Sequence, residues 1–312
     1  MKQDSKIYVA GHAGLAGSAI IRALNDRGFT NVIQRTRSEL NLLDPVAVRE
    51  FFATEKPEYV IDSAARVGGI QANIEHQAEY LYENLTIQNN LMWSAHEHNV
   101  QKFLFLGSSC IYPRESPQPM KEEYFLTGPF EPTNEGYAIA KTAGIKLCEY
   151  MHDQYSQVFI SVMPCNLYGP GDHFSPTYSH VHAGLMRRIH EAKQSGASEV
   201  TVWGTGTARR EFMHTDDLAA ACLFLLEHYS EKQFLNAGSG TDISIRELAE
   251  LLAHIIGYKG SLVFDTSKPD GMPQKLLDVS KINSLGWNAQ IALEDGLRGL
   301  YTWFLEHEAA TP

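Results

Sequence analysis

Two rhythms of apolar and polar positions alternate along this chain: short solid apolar runs, and longer stretches with apolar residues at helical spacing. Lys6 to Ala10 is a run of the first kind and predicts a buried strand. Gly11, Gly14 and Gly17 follow at once, and Ser18 to about Asp26 reads as a helix that Gly28 can stop. Val32 and Ile33 begin a second strand. Asn41 to Phe52 reads as a loop and then a helix, and Val60 to Ala65 as a third strand. Tyr80 to His98 predicts a long amphipathic helix, and Phe103 to Gly107 a fourth strand that ends in a polar loop. Tyr137 to Tyr155 supplies another helix, and Phe159 to Met163 another strand.

Strands alternating with helices in this way predict an α/β fold: a Rossmann-type, mostly parallel sheet with helices on both faces. After Asn166 the pattern changes. Gly and Pro become frequent, His residues accumulate, and Met186 to Ala192 resembles a short helix. A smaller C-terminal substrate domain is expected to begin there. Asp216 to His228 reads as a helix and Phe234-Leu235 as a strand, and both are expected to return to the first domain. The expected division is therefore 1–166 completed by 213–238, and 167–212 with 239–312.

The glycine segment GHAGLAG has a physical reading once it sits between a strand and a helix. Gly11 permits a sharp turn, Gly14 lets a pyrophosphate approach the backbone, and Gly17 permits close helix packing, with the helix N-terminus facing negative charge. At the end of the second strand, a carboxylate would favour the ribose hydroxyls of NAD. NVIQRTRSEL instead places Arg35 and Arg37 there, with Glu39 as the nearest acid. Guanidiniums suit a 2′-phosphate, so NADP(H) is the expected cofactor, against the plainer reading of a basic turn meeting solvent.

Tyr137 and Lys141 stand four apart in YAIAK and share one helix face. An ammonium there is expected to bring the tyrosine phenol nearer neutral pH. Ser108 follows the strand FLFLG, where its hydroxyl can hold a carbonyl oxygen while Tyr137 donates to it. Cys110 lies two residues further on; by residue type alone it equally fits a small buried apolar side chain. His180 lies in FSPTYSHVHAG, and a lone histidine is usually structural. His173 and His182 read as loop or surface residues. Arg188, Trp203 and Arg210 offer guanidiniums for pyrophosphate and an indole for stacking, although each equally suits a surface position.

The glycine loop, strand-end serine and YxxxK, in that order, resemble the short-chain dehydrogenase/reductase family in its extended branch. Longer segments narrow the likeness: RTRSELNLLD, AARVGGIQAN, FLGSSCIYP, EPTNEGYAIAKTAGIKLCE, MPCNLYGP, WGTGTARREFMHTDD and KPDGMPQKLLDVS. Together they resemble the GDP-L-fucose synthase family, the 3,5-epimerase/4-reductases of GDP-4-keto-6-deoxy-D-mannose. That resemblance covers nearly the whole chain. It implies NADP(H) held by Gly11, His12, Ala13, Gly14, Leu15, Ala16 and Gly17, by Arg37, and by Leu106, Gly107, Ser108 and Ser109. Lys141, Pro164, Cys165, Asn166, Leu167 and His180 complete the implied cofactor set. It also implies that Ser108, Tyr137 and Lys141 serve reduction, that Cys110 and His180 are the base and acid of epimerisation, and that Arg188, Trp203, Arg210 and Asp270 meet a GDP-linked 4-keto-6-deoxy sugar. Ala13 departs from the pattern, standing where bacterial members commonly have Arg, which leaves more of the phosphate selectivity to Arg37. A homodimer is expected by the same analogy, through Tyr80 to His98 and Tyr137 to Tyr155.

Composition adds mainly exclusions. The 312 residues are 44% hydrophobic and 20% charged, an ordinary globular mixture, and the net charge of −11 argues against a broad nucleic-acid surface. No apolar run is long enough to span a bilayer, and MKQDSKIYVAG enters the glycine motif without the pattern of a secretory leader. Four cysteines without a CxxC pair suggest neither a disulfide scaffold nor a zinc site, so a reducing cytoplasm is expected. Two other readings fit parts of the pattern. A nucleotide-sugar 4-epimerase that retains its cofactor would keep the same core residues without net NADPH consumption. A non-catalytic nucleotide-responsive protein would bind without turnover.

Overall fold

The computed structural model describes residues 1–175, 179–268 and 270–309. Its elements in chain order are β1 (Ile7–Ala10), α1 (Leu15–Asp26), β2 (Val32–Ile33), α2 (Pro45–Glu55), β3 (Tyr59–Asp62), α3 (Ile70–Glu75), α4 (Gln77–Glu97), β4 (Lys102–Leu106), α5 (Glu135–Tyr155) and β5 (Val158–Pro164). Then come β6 (Asn166–Tyr168), α6 (Val181–Ser195), β7 (Glu199–Trp203), β8 (Arg209–His214), α7 (Thr215–His228), β9 (Leu235–Ala237), β10 (Asp242–Ser244) and α8 (Ile245–Ile256). The chain closes with β11 (Ser261–Asp265), β12 (Gln274–Lys275), α9 (Ser280–Ser284) and α10 (Leu293–His307).

The main sheet runs β2-β1-β3-β4-β5-β9, with every neighbouring pair parallel. Parallel strands covered on both faces are mostly apolar, and β1 and β4 are buried at every position. Helix α1 packs with α7, while α2, α4 and α5 pack together, so two helical layers enclose the sheet. The chain leaves β1 toward β2 and returns on the other side as β3. A crevice therefore opens beyond the ends of β1 and β3, the position at which such sheets bind ligands. The expected strand Val60 to Ala65 ends earlier, at Asp62, because its partner β1 stops at Ala10, where Gly11 turns with φ +75°; Ser63 closes the ladder on the Ala10 carbonyl through its amide (3.1 Å) and hydroxyl (2.6 Å).

A second core lies around Tyr168, Phe174, α6, β7, β8, α8 and α10. Here β8 pairs antiparallel with β10 and parallel with both β6 and β12, and β7 pairs with β11. The short helix expected at Met186 to Ala192 extends over Val181–Ser195. Helix α8 begins with a reciprocal cap in which Ser244 Oγ accepts from the Glu247 amide and the Glu247 carboxylate accepts from the Ser244 amide. After β12 the chain goes back across the molecule, and Leu277, Ile282 and Trp287 are buried in the first core. This strap brings C-terminal residues beside the loops at the ends of β4 and β5. No helix among the described residues is long and apolar enough to cross a membrane.

Candidate active site

The glycine loop is shaped by contacts that admit no side chain. Gly11 has φ +75°, and a Cβ there would lie 2.8 Å from the backbone of Ala64, which follows β3. A Cβ on Gly17 would collide with the Gly11 carbonyl, so α1 can sit this close only with glycine. The amides of Leu15, Ala16 and Gly17 make no hydrogen bond among the described residues, and Gly14 caps the helix without a side-chain acceptor. Donors at the positive end of a helix dipole suit a pyrophosphate. His12 Nδ1 is buried nearby without a partner.

At the end of β2 the two arginines separate. Arg35 is committed to Glu55 (2.6 Å) and lies over the Phe51 ring, whereas Arg37 is exposed and forms no ion pair among the described residues. Of the two guanidiniums expected to face a 2′-phosphate, Arg35 is therefore held by its own partners, and Arg37 is the one free of an ion pair among the described residues. Glu39 folds back onto Thr36, accepting from its amide (2.7 Å) and hydroxyl (2.8 Å).

Strand β4 delivers Ser108 at its end, with Ser108 Oγ accepting from the Cys110 amide (3.2 Å). Helix α5 carries Tyr137 and, one turn on, Lys141 toward the same point. Lys141 is buried, and its ammonium donates to the Leu106 carbonyl (2.8 Å) 5.8 Å from the centre of the Tyr137 ring. Burial pushes Lys141 down to about 8, opposed by the nearby charge of Asp62. Asp62 is itself fully buried; desolvation lifts it to about 6 against Lys141 and the Ala64 amide. Removing an isolated ammonium from water costs several kcal/mol, and the Leu106 carbonyl and Asp62 offset that cost together. The expected lowering of the Tyr137 phenol does not occur. Desolvation and the neighbouring Cys110 charge raise it well above its ordinary value, with a Ser108 hydrogen bond only partly opposing. Lys141 spends its ammonium on Leu106 instead. A phenol that keeps its proton through the neutral range is a proton donor, which is what reduction of a carbonyl needs.

Cys110 Sγ accepts from Asn134 Nδ2 (3.0 Å) and from Lys275 Nζ (3.4 Å). Burial raises its pKa, yet Lys275 together with hydrogen bonds from Ser108, Lys275 and Asn134 brings it below the ordinary thiol value. Ser108, Cys110, Tyr137 and Lys141 therefore form one cluster. His180 stands apart from it at the start of α6, half exposed, with Nδ1 3.7 Å from Asp172 Oδ1. The Asp172 carboxylate raises the His180 pKa against the lowering effect of burial. Among the described residues His180 meets Asp172, and neither Cys110 nor Tyr137. His182 is not the surface residue expected from sequence: it is buried, with Nε2 2.6 Å from the other Asp172 oxygen. His173 is exposed, as expected.

Of the remaining sequence candidates, Arg188, Trp203 and Arg210 sit on α6, β7 and β8, elements of the second core. Trp203 is 60% exposed, with the Arg188 guanidinium 6.0 Å and the Lys268 ammonium 5.5 Å from its ring. Arg188 bonds the Gly184 and Thr201 carbonyls, and Arg210 bonds those of Met272 (2.6 Å) and Asp270 (3.2 Å). The Asp270 carboxylate is taken up by the Thr205 amide and hydroxyl, both at 2.8 Å. Pro164 ends β5, Cys165 donates its amide to Ala237, and the Asn166 amide group bonds the Glu211 carbonyl. Sequence reasoning missed Asn134, Lys275 and Asp172. The first two lie inside segments EPTNEG and KPDGMPQKLLD that were already informative, but spacing carries no sign of their contact with Cys110.

Residues 7–238 match the model of the NAD dependent epimerase/dehydratase family. The chain belongs to that family. Among epimerase/dehydratase family relatives, it is 54% identical to GDP-L-fucose synthase 1 of Arabidopsis thaliana over 98% of this chain and 94% of that one. It is 51% identical to GDP-L-fucose synthase of Escherichia coli K12, covering 97% of each. A solved structure of a GDP-L-fucose synthetase from Naegleria fowleri bound to NADP superposes with a TM-score of 0.89 at 27% identity, covering 98% of this chain and 95% of that one.

Proposed function

We propose that this chain converts GDP-4-dehydro-6-deoxy-D-mannose to GDP-L-fucose by epimerisation at C3 and C5 followed by NADPH-dependent reduction at C4. The observation that carries the reading is the cluster at the ends of β4 and α5. It places a carbonyl-polarising pair, Ser108 and Tyr137, beside a thiol surrounded by hydrogen-bond donors. A C4 ketone acidifies the protons on C3 and C5, because either carbanion is an enolate. Ser108 and Tyr137 hold the developing oxygen charge. Cys110 removes a proton from one face, and His180, whose pKa the Asp172 carboxylate raises, returns one to the other. Repeating the exchange inverts the second centre. Tyr137 then gives its proton to the C4 oxygen, and Lys141 holds the strand-end carbonyl beside it. NADPH, when bound, supplies the hydride. The glycine loop fits it: unpaired amides, no side chain to block approach, and Arg37 free for a 2′-phosphate.

Trp203 and Arg188 are assigned to the nucleotide, and Arg210 and Asp270 to the pyrophosphate and sugar side. In this reading residues 1–166 with 213–238 hold the cofactor and 167–212 with 239–312 hold the sugar nucleotide, sending 277–289 back onto the first core. Incubation with the keto sugar should consume NADPH one for one and yield GDP-L-fucose by NMR. Isomerisation without net NADPH loss would replace this reading with a cofactor-retaining epimerase. An Arg37→Ser variant is expected to lose about 10- to 100-fold in kcat/KM with NADPH and little with NADH, the range for lost charge-assisted hydrogen bonds. Equal losses with both cofactors would remove Arg37 from the phosphate site.

A homodimer through α4 and α5 is part of the same proposal, as is residence in a cytoplasm that keeps Cys110, Cys148, Cys165 and Cys222 as free thiols. Tyr82 and Trp93 on α4 and Ile139 and Tyr150 on α5 are exposed apolar side chains that a two-fold contact through these helices would cover. Light scattering should return twice the chain mass of 34.9 kDa, and a persistent monomer would defeat the assignment.

A further inference from the structure

We infer that Lys275, carried back on the C-terminal strap, acts with Asn134 to hold Cys110 as a thiolate, making Lys275 a positioning residue for the proton-abstracting step. The inference rests on the reading of Cys110 as the base, and it adds two residues from distant parts of the chain to that base.

The geometry is one-sided. Cys110 Sγ receives Asn134 Nδ2 at 3.0 Å and Lys275 Nζ at 3.4 Å, so its neighbours offer protons to sulfur. An ammonium at this distance favours the anionic form of a thiol, and a primary amide supports it as a second donor. Lys275 is not a loose surface cation. Strand β12 sets it opposite Arg210 of β8, and the next two residues are bound to two separate segments, the loop at 118–120 and β8 itself. The Leu276 amide donates to Gln118 Oε1 (2.9 Å), the Leu277 amide to Glu211 Oε2 (2.9 Å), and the Met120 amide to the Leu276 carbonyl (2.7 Å).

The other groups that face this sulfur or its lysine do not supply the same effect. Tyr137, from α5, keeps its proton and is neutral, and Ser108 is a neutral donor on the cysteine's own loop. Behind Lys275, Glu211 is fully buried and its carboxylate is occupied by the amides of Gly240 and Leu277. Desolvation raises Glu211 to about 7, with the amides of Leu277, Gly240 and Ser239 opposing. Cys165 lies near both and is buried, with desolvation and Glu211 keeping its thiol protonated. Lys275 is the cation within reach of Cys110 among the described residues.

The test reads the thiol directly and needs no turnover. Iodoacetamide modifies the thiolate, and Cys148, Cys165 and Cys222 are buried with raised pKa values, so Cys110 is the reactive cysteine; a Cys110→Ser control checks this. In Lys275→Met the alkylation midpoint should move to higher pH, and the rate at neutral pH should fall about tenfold. The direction follows from sign: removing a positive charge destabilises the anion, so a higher pH is needed to form it. Lys275→Arg should restore most of the rate, and Asn134→Ala should shift the midpoint the same way by less. An unchanged profile in Lys275→Met, or no recovery in Lys275→Arg, overturns the assignment. Solvent deuterium wash-in at C3 and C5 is then measured in the same variants. If the alkylation profile shifts while wash-in is unaffected, the cradle stands and the reading of Cys110 as the base fails. If wash-in falls with the alkylation rate, both stand.

Discussion

Cys110→Ser should lose nearly all incorporation of solvent deuterium at C3 and C5 while continuing to oxidise NADPH against the keto sugar. The substitution is close to isosteric, and the two donors at Sγ, Asn134 and Lys275, can still reach an oxygen there. The change is in basicity: a serine hydroxyl stays protonated at neutral pH, whereas the native thiol is already brought below its ordinary value. Loss of a positioned general base costs about 10²- to 10⁴-fold, and the exchange rate should fall within that range. Ser108, Tyr137 and Lys141 remain, so C4 can still be reduced, giving a GDP-6-deoxyhexose with unreversed stereochemistry. Proton NMR in D₂O and the absolute configuration of the product decide the matter. Normal exchange and normal GDP-L-fucose output would return Cys110 to the role of a small apolar side chain.

Tyr137→Phe should give the reverse pattern. The ring still fills its place on α5, but the proton for the C4 oxygen is gone, and kcat for reduction should drop about 10²- to 10⁴-fold. Deuterium exchange should decline less, because the Ser108 hydroxyl still polarises the carbonyl. Burial and the adjacent Cys110 charge hold the native phenol protonated well above neutral pH, so loss of the Tyr137 proton should not limit the wild-type reduction rate near neutrality. Single-turnover NADPH oxidation beside deuterium wash-in separates the two steps. Reduction at the native rate would show that another group protonates C4.

The first half of the fold was legible because its signals are local. Short apolar runs such as IYVA and FLFL, bounded by turn signals and alternating with helical stretches, read as strands buried on both faces, and the glycines after β1 stand where a tight turn and a close helix require them. Helix α8 was also within reach: SIRE is a capping-box sequence, and Gly257 ends the helix with positive φ. Ser108, Tyr137 and Lys141 could be grouped from their order alone, whereas the Lys275–Cys110 contact spans 165 residues and follows no periodicity. Nor could residue types foresee the state of Tyr137. The YxxxK spacing puts an ammonium near the phenol, but the direction of the pKa shift depends on where Lys141 donates and how much water Tyr137 loses. His182 shows the same limit. Its burial against Asp172 depends on packing around α6, which a histidine in a Gly- and Pro-rich segment does not announce.

The pairing of β12 with β8 has a consequence for how this protein can vary. Gln274 stands opposite Arg209 and Lys275 opposite Arg210, so one short ladder indexes β8 against the side chain that meets Cys110. Successive strand residues point to opposite faces, and a slip of one position would turn Lys275 away from the sulfur and bring Gln274 or Leu276 in its place. Surface connections usually tolerate insertion and deletion, because each added residue changes closure entropy only slightly. A residue added between β11 and β12 is harmless only where the loop absorbs it; pushed into the ladder, it would move Lys275 off the sulfur.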